Sequence, residues 1–362
     1  MKIIDFGIVP QALNDKDQLI SFKKGKFYLL DAGKNYEVVY SIEMPFYQHK
    51  LLSRFRVIER ILRNTPGPCI QIDDHNYIYH YKSCVYLINL LENKISLELS
   101  LPTTKKILNF SICKCPETDC VCVFFGEYFE NKNKSEVNIW RRAKNGHWSV
   151  YSTFPSNSIE HIHNIVEDQF RKQLIILTGD FGEGSGIWTL NRENQAPKKI
   201  LAGSQMYRAT WIFIDKSRLI YATDTPFEKN YLIEIDLRES GIRQRKLHLI
   251  NGSSIYGGVV KNRVIYFSTS VEPIELTGNR WSDIFQRKKG VGIIDNKSYV
   301  YKYKIDTDEL DVVMSDPKDA IPMRLGQYGS FQLSSSYANN NKILIYGLAL
   351  KKYDNFLIEI EV

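Results

Sequence analysis

The feature that most constrains this chain is a pair of short strands that recurs along it. A run of β-branched and aromatic residues stops at a polar loop, then resumes as a second alternating run. The clearest copies are residues 174–180 with 186–190, 218–224 with 231–236, and 263–268 with 299–303. Weaker copies are 120–125 with 137–140, 342–346 with 356–360, and 77–79 with 84–87. Repetition of a strand-rich unit every ~40–50 residues is the signature of a propeller, in which each unit forms one four-stranded antiparallel blade around a common axis. We therefore expect an all-β fold with little helix.

Reading the repeats as blades places their starts near Pro68, Ile107, His161, Tyr207, Ser254 and Gly329, with residues 19–61 supplying one more. The last blade runs out after three strands, and an N-terminal strand over residues 2–6 would complete it. Ring closure of that kind removes the free edge that an open sheet must otherwise protect. The reading favours seven blades, with six as the alternative because the first sixty residues are the least regular. All 362 residues then belong to one propeller domain. An insertion over residues 272–296, carrying Trp281, Phe285 and the basic run Arg287 to Gly290, falls in a loop between the second and third strands of its blade. Insertions of this length serve as functional lids or remain surface.

Composition agrees with strands: 22 tyrosines and 18 phenylalanines in a chain that is 43% hydrophobic. The net charge of +7 is dispersed in short groups such as Lys23-Lys24 and Lys105-Lys106, the pattern of solvated turns. A positive field attracts acidic polymers, but no basic helix or nucleic-acid motif is present, so no nucleic-acid partner is expected. Residues 1–7 place Asp5 inside an apolar run and are not a signal peptide. No apolar stretch approaches the ~18 residues of a membrane span, so the chain as it stands reads as cytoplasmic; secretion after removal of a leader would leave no trace in it.

Topology alone locates a site. In a four-stranded meander, the loop entering the innermost strand and the loop joining the second strand to the third emerge on the same face. The residues at those positions therefore converge on the axis mouth. Here they are His161, His163, Asn164, Tyr207 and Arg208 on one side, and Asp180, Asp224 and Glu272 on the other. Alternate residues of a strand share a face, so His161 and His163 can divide acid and base work or share a divalent metal. Asp180 and Asp224 occupy equivalent places in neighbouring blades and would flank the pair as catalytic partners. Arg208, with Gln205, Tyr207 and Trp211 around it, offers a guanidinium for a carboxylate and aromatic faces for a sugar ring. Glu272 and Arg324 are further candidates for the same mouth. The competing reading is that these residues bond turn amides and do nothing else.

A second cluster is Cys113, Cys115, Cys120 and Cys122 around the turn 116–119. If Cys115 and Cys120 close a hairpin, all four sulfurs share one side. Three readings stand: a structural zinc, cross-strand disulfides, or free thiols packed as small hydrophobes. Any zinc would be structural, because this turn lies on the face opposite the mouth. No Gly-rich phosphate loop, GxSxG elbow or HExxH helix occurs, which excludes the corresponding enzyme classes.

The segment from residue 145 to 226, with Asn145-Gly-His-Trp148, the two histidines, Thr178 to Asp180, Gly186-Ile-Trp188, the run 203–208 and Thr223 to Pro226, resembles bacterial sialidase-like propellers with BNR or Asp-box repeats. That resemblance implies a glycan-directed protein that binds or cleaves an acidic saccharide at the axis mouth, with glycosidase- or lyase-type chemistry. The reading from a different class is a non-catalytic platform holding a protein partner through the 272–296 insertion.

Overall fold

The computed structural model describes residues 1–45, 47, 55–179, 181–191, 196–237, 243–274 and 283–362. Its strands form seven antiparallel sheets in chain order around an axis. Their innermost strands are Val9–Leu13, Cys69–Gln71, the broken pair Lys106–Ile107 and Ser111–Lys114, His161–Asp168, Phe213–Ile214, Gly257–Lys261 and Gly329–Gln332. Among the described residues, no helix is long and apolar enough to cross a membrane.

The second strand of each blade explains why the repeats read as continuous apolar runs rather than alternating ones. Along Gln173–Gly179 every residue after Gln173 is buried. Leu174 and Ile176 pack into the core shared with the preceding blade, beside Phe124, Ile139 and Ile165. Ile175 and Leu177 enter the next core, beside Leu219, Tyr221 and Ile233. Both faces of the strand are covered, and each buried Leu or Ile contributes ~1.5–3 kcal/mol of transfer free energy. Outer strands such as Lys94–Ser100 are exposed or half-buried along their whole length.

Closure occurs as the sequence suggests. Lys2–Phe6 is the outermost strand of the last blade and pairs antiparallel with Phe356–Glu361. The first blade differs from the expected limits. Its innermost strand is Val9–Leu13, and residues 56–62 form helix α1 (Arg56–Leu62) instead of a strand. Pro10 is tolerated in Val9–Leu13 because the innermost strand of a blade is an edge, with no partner across the axis.

Loop heights make the two faces unequal. In the first two blades, the connections between second and third strands shrink to Lys24-Gly25 and Lys82-Ser83, all at positive φ as two-residue hairpins require. The later blades carry taller loops there. Helix α1 stands above the low side. Its buried Arg60 donates to the Gly326 carbonyl and pairs with Asp319 at 2.5 Å, while Arg56 pairs with Asp354 at 2.8 Å. The mouth is thus walled by loops on one flank and by a clamped helix on the other.

Candidate functional site

The tall loops and the entries to the innermost strands enclose a cavity of about 1260 Å³ at the mouth. His161 and Arg208 line it from strand entries, Tyr128, Phe181, Phe227 and Glu272 from loops after second strands, and Arg324 and Tyr328 from the approach to the last blade. This is the convergence that the meander topology requires.

His161 and His163 meet tightly. Their Nε2 atoms are 3.2 Å apart; His161 Nδ1 lies 3.1 Å from the Phe129 carbonyl, and His163 Nδ1 lies 2.9 Å from the Ala209 carbonyl. A carbonyl only accepts, so both Nδ1 atoms carry hydrogen. The strict alternation assumed from sequence is not what produces this meeting. His161 pairs with Gly179 and Ile162 with Thr178, but Asn164 pairs with Leu177, leaving His163 as the extra residue of a β-bulge. Bulges re-aim a side chain at the cost of one ladder position. The ring has room because residue 179 is glycine: a Cβ there would sit 2.3 Å from His163 Cε1.

Arg208 is buried beside Asp224, with Nε 3.7 Å from Oδ2, and the Asp224 amide donates to the Arg208 carbonyl at 2.9 Å. Arg324 donates through Nη2 to the Ile274 carbonyl at 3.1 Å, and its Nε is buried without a hydrogen-bond partner among the described residues. Beneath the mouth, burial pushes the Tyr256 phenol up to about 12, with the carboxylates of Asp224 and Glu272 adding to the shift. Tyr328 is raised by burial and by Glu272 in the same way. Both phenols stay protonated, and the Tyr256 oxygen accepts from Gln332 Nε2 at 2.9 Å. Tyr128 packs its ring 4.3 Å from that of His161, and Phe181 and Phe227 lie 5.4 Å apart on the rim.

The residues expected from sequence divide as follows. His161, Arg208, Glu272 and Arg324 line the cavity; His163 and Asp224 are buried directly behind His161 and Arg208. Asp180 and Trp281 lie outside the described residues. Gln205 and Tyr207 form a short 3-10 turn and do not line the cavity. Trp211 is corrected: it is buried in an inter-blade core, donates to Ser254 Oγ at 2.9 Å, and borders the opposite mouth, in the segment between Arg208 and the strand Phe213–Ile214. Asn164 also belongs below, where it donates to the Thr210 carbonyl of the next blade. Sequence reasoning missed Tyr128, Phe181, Phe227 and Tyr328. The same topological rule, applied to every blade, points at them.

Among the described residues, no three His, Cys, Asp or Glu side chains are arranged to hold a metal ion. Cys113, Cys115, Cys120 and Cys122 do not form such a group among the described residues. All four are free thiols, three of them packed in the core and Cys120 exposed. The histidine Nε2 separation would suit two cis ligands of a metal with ~2.1 Å bonds, but the described residues supply no third such ligand.

No protein-family model matches the sequence, and a search of curated proteins finds no match. Solved structures share the fold. An oligogalacturonate lyase in complex with manganese matches at TM-score 0.59 and 11% identity over 97% of this chain and 88% of that one. An oligogalacturonate lyase from Vibrio parahaemolyticus matches at TM-score 0.56 and 10% identity over 99% and 90%. The tricorn protease matches at TM-score 0.52 and 10% identity, covering all of this chain and 34% of that protein. At these identities the likeness establishes the seven-bladed propeller fold.

Proposed function

We propose that this protein holds an acidic saccharide in the axial mouth and cleaves it by β-elimination next to a uronate carboxylate. The observation that carries this reading is the convergence of Arg208, Arg324 and His161 on one cavity flanked by aromatic rings. The guanidiniums would take the carboxylate, stabilising the charge that develops when the adjacent carbon loses its proton. His161 Nε2 would accept that proton, with His163 sharing the charge behind it. The electron pair of the C–H bond becomes a carbon–carbon double bond, the bond to the glycosidic oxygen breaks, and the departing oxygen takes a proton from water. The rings of Phe181, Phe227 and Tyr128 offer stacking faces for the sugars. Two of the fold's neighbours are named for such a lyase activity, which supports the choice of chemistry. The described residues do not complete a manganese site, so no step is routed through a metal. Sialidase chemistry asks for three arginines around the substrate carboxylate, and the described lining offers Arg208 and Arg324, so we carry elimination forward instead.

The test is calorimetric binding of short uronate oligosaccharides against neutral ones of equal length, paired with ultraviolet detection of the unsaturated product. Arg324→Gln is expected to weaken uronate binding ~10–100-fold, the value of a charge-assisted hydrogen bond, and His161→Ala to abolish product while binding persists. Equal affinity for neutral sugars, or an unchanged Arg324→Gln, refutes the acidic-saccharide reading. Binding without product in the native protein refutes the elimination step.

A further inference from the structure

The cysteine hairpin lies on the face away from the mouth and takes no part in the proposed chemistry. Its geometry is specific. Strands Ser111–Lys114 and Val121–Tyr128 pair with Cys113 opposite Cys122. One step further on, the Cys115 amide donates to the Cys120 carbonyl at 2.8 Å, so these two residues also stand opposite each other. The Cys115 carbonyl accepts from the Asp119 amide at 2.8 Å instead of from Cys120, so the turn closes on a bulge; opposed residues of an antiparallel pair have Cα atoms ~4.5–5.5 Å apart, inside the ~4.4–6.8 Å range that a disulfide spans.

The two thiols differ. Cys120 is exposed, whereas Cys115 is buried under the turn. Arg141, from the next strand of the blade, donates through Nη1 to the Cys115 sulfur at 3.4 Å. Burial pushes the Cys115 thiol up, but hydrogen bonds from Thr118, Arg141 and the amides of Thr118 and Glu117 outweigh it, so its pKa falls below the ordinary value. In the pair beneath, burial pushes Cys113 up to about 12 and raises Cys122 as well, leaving both protonated and unreactive.

We propose that Cys115 and Cys120 form a reversible thiol–disulfide couple across the tip of this hairpin, loaded from a low-molecular-weight disulfide through the exposed Cys120. In the first exchange the Cys120 thiolate attacks the small disulfide, forming a mixed disulfide and releasing one small thiolate. The Cys115 thiolate, held by Arg141, then attacks the Cys120 sulfur. The Cys115–Cys120 bond forms, the mixed disulfide breaks, and the second small thiolate leaves. Two protein thiols are oxidised and one small disulfide is reduced to two thiols. The division of labour follows from access: an exposed sulfur meets the reagent, and a neighbour that solvent does not reach, with Arg141 on its sulfur, resolves it.

The test uses the reduced full-length protein, oxidised glutathione at neutral pH, and peptide mass mapping over time. The expected result is a transient glutathione adduct on Cys120, followed by a peptide lighter by two hydrogens in which Cys115 is joined to Cys120. Cys115→Ser should stop at a persistent Cys120 adduct. Arg141→Gln should slow ring closure about fivefold or more by weakening the resolving thiolate, while the first adduct forms at the native rate. Melting curves of both variants show whether the blade is intact. A Cys120 adduct that persists in the native protein, a cross-link that joins Cys113 to Cys122 instead, or a native closure rate in Arg141→Gln each overturns the proposal.

Discussion

Gly179→Ala tests how the histidine pair is held. Gly179 lies within the strand Gln173–Gly179 and pairs with His161, so neither a turn nor positive φ accounts for the glycine. Its role is space. An added Cβ would stand 2.3 Å from His163 Cε1 and 2.5 Å from Nε2. The ring cannot swing aside cheaply, because Nδ1 is bound to the Ala209 carbonyl and Nε2 abuts His161. Overpacking of this kind costs ~1–3 kcal/mol, and losing the buried Nδ1 bond costs ~1 kcal/mol more. Replacing a strand glycine with alanine returns ~0.5–1 kcal/mol. The net expectation is ~1.5–3 kcal/mol of destabilisation, a shift of roughly 0.5–1 M in the urea midpoint. The decisive measurement is the double-mutant cycle with His163→Ala. Without the imidazole the methyl group fills vacated space, so the double variant should be no less stable than His163→Ala alone, giving a coupling of ~2 kcal/mol. Additive losses would show that the glycine serves something other than the ring, and the account of the pair's positioning would fail.

Two further predictions concern the scaffold. Burial pushes the Asp319 carboxyl up, yet hydrogen bonds from Arg60 and Lys318 outweigh it and hold its pKa below the ordinary value. A carboxylate whose folded pKa is depressed stabilises the fold above its unfolded pKa of ~3.9 and loses that contribution as pH falls through the folded value. Stability measured by denaturant titration should therefore drop below about pH 4 more steeply in the native protein than in Asp319→Asn, and parallel profiles would contradict the clamp on helix α1. Deleting residues 1–7 removes the strand that pairs with Phe356–Glu361 and opens an edge. Light scattering should show concentration-dependent association and a lowered melting temperature, and a monomer of native stability would mean that closure is dispensable.

Much of the architecture was legible because a propeller writes the same physical problem seven times. Second strands such as Leu174 to Leu177 are covered on both faces and must be apolar throughout, which makes each repeat visible. The convergence of His161, Arg208, Glu272 and Arg324 was legible for a related reason: the order of strands in a meander fixes which loops share a face. The first blade was harder to delimit. Its inner strand contains Pro10, and helix α1 carries no capping residue at Phe55 to announce it. Trp211 was misplaced because the short stretch of chain from Arg208 to Trp211 is enough to carry a side chain from one mouth toward the other.

By itself, the sequence determined that this chain is a ring of four-stranded blades and which stretches face its mouth, since strand periodicity and repeat length are local properties. Tertiary structure alone decided how the site is assembled. The 3.2 Å meeting of His161 and His163 depends on a bulge in one strand, a glycine in the next, and carbonyls supplied by the preceding and following blades. Contacts between residues so far apart in the chain leave no periodicity to read, because they are fixed by how whole blades pack rather than by any one segment's preference.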